Sequence, residues 1–282
     1  MVRTAYAKIN LGLRVLGKRE DGFHDIETIF HRIDLHDELN IEPTESLISV
    51  SSDSAAIPTN ESNLCWKAVE LLRTEIGTAR GAAVHIKKNI PIGSGLGGGS
   101  SDAAAVLAAL PGAWNIPVDA STLAGVAVNV GSDVPYFLHN KSAYAEGRGE
   151  RLQFVNISLP FSIVVVTPNV HISTAWAYGA LSRQRRELSH STKFYDGATC
   201  TVAALPMLME NDFEEVVFTA HPEIADVKRN LLSLGAIHAL LSGSGSSVFG
   251  LFDNNDNVRR AADFFTFKHF VSITAPNFFP SL

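Results

Sequence analysis

The chain has 282 residues, of which 46% are hydrophobic and 18% charged, with a formal net charge of −6. That much apolar material supports a real core in one large or two ordinary domains, while the acidic balance argues against a surface built to grip nucleic acid. Cys65 and Cys200 are too few for a disulfide framework or a zinc cluster, and no apolar signal core or membrane-length apolar run occurs, so a reduced, cytoplasmic protein with no membrane partner is expected.

From Ala5 to Val15 the residues alternate. Ala7, Ile9, Leu11, Leu13 and Val15 share one face and Lys8, Asn10, Gly12 and Arg14 the other, which predicts a half-buried strand. Asp21-Gly22 makes a turn, and Ile26 to Ile33 reads as the returning strand. A helix follows Asn63, with Gly77 as its stop, and Ala83 to Ile86 is a short strand. A glycine-rich run leads into an alanine-rich helix that is expected to end before Pro111-Gly112. A further helix runs from about Asp119 to Val130 and stops at Gly131.

Beyond about residue 155 the order changes. Phe161 to Thr167 reads as a buried strand, Ser173 caps a helix through Tyr178, and Pro222 opens a helix that Gly235 closes. Strands at Ile237–Leu241 and Val248–Phe252, a helix near Val258–Phe265 and a strand near Phe270–Thr274 complete a β-α-β-β-α-β order. Residues 183–199, polar and containing Arg183, Arg185 and Arg186, read as a mobile loop. The expected class is α+β, with one domain over 1–154 and a second over 155–282.

The strongest local signal is Pro91-Ile92-Gly93-Ser94-Gly95-Leu96-Gly97-Gly98-Gly99-Ser100-Ser101-Asp102. Five glycines in seven residues let the backbone approach a ligand closely and turn several N–H groups inward. The helix behind them adds its positive end, so an anion is favoured there. Ser94, Ser100 and Ser101 offer hydroxyl donors. A merely flexible connection would need none of these serines, and a phosphate cradle explains all of them together. No lysine follows the run, which excludes the P-loop pattern. Gly93-Ser94-Gly95-Leu96-Gly97-Gly98 formally satisfies Gly-x-Gly-x-x-Gly, but the acid about 20 residues on, Asp119, reads as a helix N-cap and not as a ribose ligand. The protein-kinase motifs are absent.

This loop resembles the ATP loop of the GHMP kinases, a family of small-molecule kinases. Three further stretches carry the resemblance in the right order. They are Ala7-Lys8-Ile9-Asn10-Leu11 with Asp21-Gly22-Phe23-His24, then Gly131-Ser132-Asp133-Val134-Pro135-Tyr136-Phe137, and finally Leu241-Ser242-Gly243-Ser244-Gly245-Ser246-Ser247. The doubled glycine and serine are the form seen in the member that phosphorylates a cytidine diphosphate-linked polyol. The sequence departs at Phe23, commonly Tyr, and at Asp102, commonly Asn. The Asp102 carboxylate is expected to turn away from the phosphates, which it would otherwise repel.

The resemblance implies an N-terminal α/β domain with the ATP loop, a C-terminal ferredoxin-like domain, and a site between them. It implies transfer of the ATP γ-phosphate, with Mg²⁺, to the 2-hydroxyl of the methylerythritol part of that substrate, in non-mevalonate isoprenoid synthesis. Lys8 and Asp133 become the catalytic pair. Lys8 and Asn10 share a strand face about 6.6 Å apart, within reach of one substrate. Residues Pro91 to Ser101, with Asn63, Ser244 and Gly245, are the expected ATP contacts. Asn10, Phe23, His24 and Tyr178 are the expected substrate contacts, with Phe23 and Tyr178 on opposite faces of the cytosine. Neither metal ligands nor an oligomeric state can be read.

Other residues have structural readings. His31, His36, His139 and His171 show no metal-ligand spacing and read as surface or capping residues, Cys65 as packed on its helix, and Trp66, Trp114 and Trp176 as core. A GHMP kinase for another alcohol, mevalonate or homoserine, is the nearest alternative, and Phe23-His24 argues against it. A non-catalytic nucleotide-binding regulator is the other, and intact Lys8 and Asp133 argue against that.

Overall fold

The computed structural model describes residues 1–184 and 208–280. In the first half, strands β1 (Val2–Lys18), β2 (His24–Thr44), β3 (Ile48–Ser52), β4 (Gly81–Lys87), β5 (Ser142–Gly147) and β6 (Arg151–Val155) form one sheet. Its order is β3-β4-β2-β5-β6, with β1 antiparallel to β2. Helices α1 (Leu64–Glu75), α2 (Gly98–Trp114), α3 (Ala120–Val130) and α4 (Val134–Phe137) pack against it. In the second half β7 (Ser162–Thr167), α5 (Thr174–Gln184), α6 (Glu214–Ala220), α7 (Pro222–Ser233), β8 (His238–Leu241), β9 (Val248–Phe252), α8 (Asn255–Thr266) and β10 (Phe270–Thr274) follow. Their sheet order, β10-β7-β9-β8, is that of a split βαβ unit.

The β1–β2 ribbon serves two cores at once. Ala5, Phe30, Leu39 and Ile41 pack with the helices of the first half. Ala7, Ile9, Leu11, Ile29 and Ile33 pack with Val165, Leu240 and Phe249 of the second sheet. Period-2 alternation sends neighbouring residues to opposite faces, so both faces are covered. The expected half-buried strand is therefore corrected: Lys8 and Asn10 are 4% and 1% exposed. The far end of β1 is pinned as well. Leu13 N–H donates to Glu210 O at 2.8 Å, and Val15 N–H to the Asp212 carboxylate at 2.7 Å.

Several boundaries differ from expectation. The glycine-loop helix does not end before Pro111 but continues to Trp114 and stops at Asn115 in the left-handed region. Pro111 removes one helix hydrogen bond near the C-terminal end. Trp114 offsets that loss: it is buried, and its indole N–H donates to Gly81 O at 2.9 Å. Arg80 donates to the Trp114 carbonyl at 2.8 Å. β6 ends at Val155, one residue past the expected division, and β3, β5, β6 and α4 were not anticipated. His31 is buried, not on the surface; its Nδ1 lies 2.8 Å from the Ser142 hydroxyl, and burial pushes its pKa down to about 4. Of the stretch read as a mobile loop, Arg183 belongs to α5 and 185–199 lie outside the described residues.

Trp114→Ala is expected to destabilise the fold by about 3–5 kcal/mol, the usual range for emptying a large aromatic site. Urea unfolding of the variant measures it.

Candidate active site

The glycine loop is fixed by both halves of the chain. Gly93, Gly95 and Gly97 all have positive φ. At Gly95 a Cβ would run into the Ser242 carbonyl oxygen, and at Gly97 it would stand 2.8 Å from the Phe137 ring and 3.2 Å from Lys8 Cε. Lys8 N–H donates to Leu96 O at 3.0 Å, the Ser242 hydroxyl to Gly95 O at 3.1 Å and Ser247 N–H to Ser94 O at 3.1 Å. Gly97 is the N-cap of α2 and no side chain caps the helix, so its first N–H groups remain available for an anion.

The serines divide. Ser94 donates to Pro91 O at 2.6 Å and Ser101 to Tyr6 O at 2.7 Å, both buried. These two hydroxyls are therefore spent on holding the loop, which corrects their reading as phosphate donors. Leu96 is likewise a core residue. Pro91, Ile92, Gly93, Ser94, Gly95, Gly97, Gly98, Gly99 and Ser100 border one cavity of about 1010 Å³.

Lys8 enters that cavity from β1. Its Nζ donates to Asn10 Oδ1 at 2.7 Å and Gly95 O at 3.0 Å, and lies 3.8 Å from Asp133 Oδ2. The Asn10 amide in turn donates to Thr28 Oγ1 at 2.8 Å. Burial pushes the Lys8 ammonium below its ordinary pKa, and the Asp133 carboxylate resists that shift. Asp133 stands at the start of α4, after the Gly131 stop of α3, with its side chain 29% exposed.

A ring cluster borders the same cavity. The His24 and Tyr178 rings stack, with centroids 4.6 Å and planes 19° apart, and His24 Nε2 lies 3.1 Å from the Ser182 hydroxyl. Burial and then Lys18 hold the His24 imidazole below its ordinary pKa. Phe23 is half exposed, and the Arg148 guanidinium lies over its ring at 4.8 Å. Tyr178 is thus packed against His24, on the same cavity that Phe23 borders.

Asn63 lines the cavity and caps α1, accepting from Cys65 N–H at 2.8 Å. Ser244 and Gly243 line it too; Gly245 does not, its N–H being bonded to Ser242 O. Sequence reasoning missed Gly243, Lys18, Lys88 and Arg148, all on the cavity wall. The basic Lys87-Lys88 step just before the loop was a usable signal for Lys88 alone.

Comparison with known proteins agrees with these features. The pattern of the GHMP kinases N terminal domain matches residues 63–141, and that of the GHMP kinases C terminal matches 202–271. A 4-diphosphocytidyl-2-C-methyl-D-erythritol kinase of Chlorobium phaeobacteroides (strain BS1) is 46% identical over 280 residues, covering 97% of this chain and 96% of its own. A crystal structure of a 4-(cytidine 5′-diphospho)-2C-methyl-D-erythritol kinase matches at 35% identity with a TM-score of 0.77, over 97% of this chain and 98% of that one. The chain belongs to the 4-diphosphocytidyl-2-C-methyl-D-erythritol kinase family, within the GHMP kinases. A homoserine kinase from Cytophaga hutchinsonii shares the fold at 17% identity, with a TM-score of 0.75 over 98% and 95% of the two chains. GHMP kinases are ATP-dependent, so ATP is the co-substrate. No helix among the described residues is long and apolar enough to cross a membrane.

In this member of the 4-diphosphocytidyl-2-C-methyl-D-erythritol kinase family a buried triad underlies the loop. Lys88 is paired with Asp37 and, at 2.8 Å, with Asp102. Asp37 also accepts from Asn89 N–H at 2.6 Å and Ile90 N–H at 2.8 Å. Asp102 is thereby held on Lys88, as expected of a carboxylate kept from the phosphates, although it still forms part of the cavity wall. Burial pushes the Asp102 carboxyl up; Lys88 opposes the shift and Asp37 adds to it. A carboxyl whose pKa is raised by folding contributes stability that declines as pH rises above the ordinary carboxylate range.

Asp102→Asn is expected to flatten that decline, which melting temperatures of both proteins between pH 5 and 8 would reveal. Gly97→Val, straining a positive-φ position beside Phe137 and Lys8, is expected to weaken ATP binding about tenfold or more, read by calorimetry.

Proposed function

We propose that the chain transfers the γ-phosphoryl group of ATP to the 2-hydroxyl of 4-diphosphocytidyl-2-C-methyl-D-erythritol, a step of methylerythritol phosphate isoprenoid synthesis. The observation that carries this reading is the Lys8–Asp133 pair on a cavity bordered on one side by the uncapped start of α2 and on another by Phe23, His24 and Tyr178. An anion-binding helix end, a cation–carboxylate pair and flat rings match a triphosphate, a reacting hydroxyl and a pyrimidine respectively.

In the proposed mechanism the acceptor hydroxyl lies between Asp133 and Lys8. Asp133 accepts its proton as the oxygen attacks in line, and the Lys8 ammonium steadies charge on the attacking and transferred oxygens. Asn10 holds Lys8 and retains one N–H and one lone pair for the substrate. Backbone N–H groups of Gly97, Gly98 and Gly99 cradle the phosphates, with Ser244 facing them from the second half and Asn63 beside the adenine. Among the described residues no group of three or more His, Cys, Asp or Glu could hold a metal. The oxygen donors that line the cavity fit a Mg²⁺ carried in on the phosphates, which the Ser100 hydroxyl and the partly exposed Asp133 carboxylate would help to hold. When bound, the ion supplies neutralising charge to the triphosphate. A division after residue 154 into an ATP-binding and a second domain belongs to the same reading; the two separate sheets support it, with the last strand of the first sheet ending at Val155.

An ADP-release assay with ATP and the cytidine-linked substrate, set beside mevalonate and homoserine, tests the function; turnover of either alternative acceptor without the first overturns it. Asp133→Asn keeps the shape but not the base. Its turnover is expected to fall about 10²–10⁴-fold with ATP affinity nearly unchanged.

A further inference from the structure

The reading above names a base-binding end and a reacting end of the cavity, and leaves the span between them unassigned. A cytidine diphosphate ester has its diphosphate there, with negative charge on each bridging phosphate. The cations that line the cavity are Lys8, Lys18, Lys88 and Arg148. Lys8 belongs to the reacting pair, and Lys88 is neutralised by Asp37 and Asp102. Lys18 ends β1 and pairs in register with His24, at the base end.

Arg148 stands where the two ends meet. It sits in the turn between β5 and β6, flanked by Gly147 and Gly149, both at positive φ. A Cβ on Gly149 would lie 3.5 Å from Asp133 Oδ1 and 3.5 Å from the Phe30 ring, the ring over which Lys8 Nζ is placed at 5.2 Å. One residue earlier, the Arg148 guanidinium lies over Phe23. The turn therefore spans from the reacting pair to the aromatic that faces the base.

The guanidinium is also available. Of the carboxylates near it, Asp21 feels the Arg148 charge but is paired with Arg19 at 3.0 Å, and Glu150 accepts from the Arg148 backbone N–H at 2.6 Å. Among the described residues no carboxylate forms an ion pair with Arg148. A planar guanidinium presents paired donors that match phosphate oxygens, and stacking on Phe23 fixes its plane in advance.

Resting on the proposed acceptor, we infer that Arg148 binds the diphosphate bridge of the substrate and so selects a diphosphate-linked acceptor over a free polyol. Arg148 also covers one face of Phe23, leaving the opposite face for the base.

The test is a comparison of ligands with and without phosphate. Wild type, Arg148→Gln and Arg148→Lys are titrated calorimetrically with cytidine and with cytidine 5′-diphosphate, alongside thermal melts. Arg148→Gln is expected to lose roughly 10- to 100-fold of its affinity for the diphosphate, as for a charge-assisted hydrogen-bonded pair, while cytidine affinity stays within about twofold. Arg148→Lys, keeping charge without the fork, is expected to fall between. In turnover, KM for the cytidine-linked substrate rises in Arg148→Gln by a similar factor while kcat at saturation changes little. Equal losses for both ligands would reduce Arg148 to a support for the Phe23 ring and overturn the inference, as would undiminished diphosphate affinity. Failure of wild type to phosphorylate the cytidine-linked substrate would sink the proposed function itself. Normal wild-type turnover with an unaltered KM in Arg148→Gln would sink the Arg148 assignment alone.

Discussion

An ammonium taken out of water needs acceptors and a counter-charge, and the placement of Lys8 is organised around meeting that need. Asn10 Oδ1 and Gly95 O accept from it, Asp133 supplies the opposite charge and the Phe30 ring lies beneath it. Each of these partners comes from a different part of the chain: the same strand, the glycine loop, the start of α4 and the neighbouring strand. Satisfying one buried cation thus fixes the mutual positions of the phosphate loop and the carboxylate. Removing any one partner would leave charge or a hydrogen-bonding group stranded in the interior.

The loop itself is held on three sides. Below, Asp37 grips the backbone of Asn89 and Ile90, and Lys88 ties that strand end to the first turns of α2. Inside, Ser94 and Ser101 spend their hydroxyls on Pro91 and Tyr6. Across the cleft, Ser242 and Ser247 bond the loop backbone from the second sheet. A glycine-rich segment with so many external bonds is shaped before any ligand arrives, so less ordering entropy is lost on binding.

What the sequence made legible follows from where its signals are local. The loop, the Asp119 cap, the Gly77 and Gly235 stops and the strand at Val248–Phe252 are written in a few neighbouring residues, and the structure has them there. β5, with Ala143, Ala145 and Glu146, lacks the alternation of a half-exposed strand because its faces are covered almost throughout. Alternation found β1 but not the burial of its polar side, since period 2 separates two faces without saying what covers each. Pro111 inside α2 shows tertiary burial of Trp114 overriding a local stop signal. Within the candidate site, Lys8, Asp133 and the loop glycines come together as the motifs implied. The stacking of Tyr178 on His24 and the place of Arg148 carried no local pattern, because ring contacts and turn positions depend on packing between distant segments.

The double duty of the β1–β2 ribbon bears on what the word domain means here. A fragment ending at residue 154 would leave Ala7, Ile9, Leu11, Ile29 and Ile33 without Val165, Leu240 and Phe249, and the apolar side of its sheet would face water. Apolar area left exposed forfeits roughly 25 cal/mol per Å² and presents a contiguous adhesive surface. The two sheets are separate in topology yet joined in folding. The N-terminal half, made first as the chain emerges, reaches a water-compatible surface only when the last strands arrive to cover it.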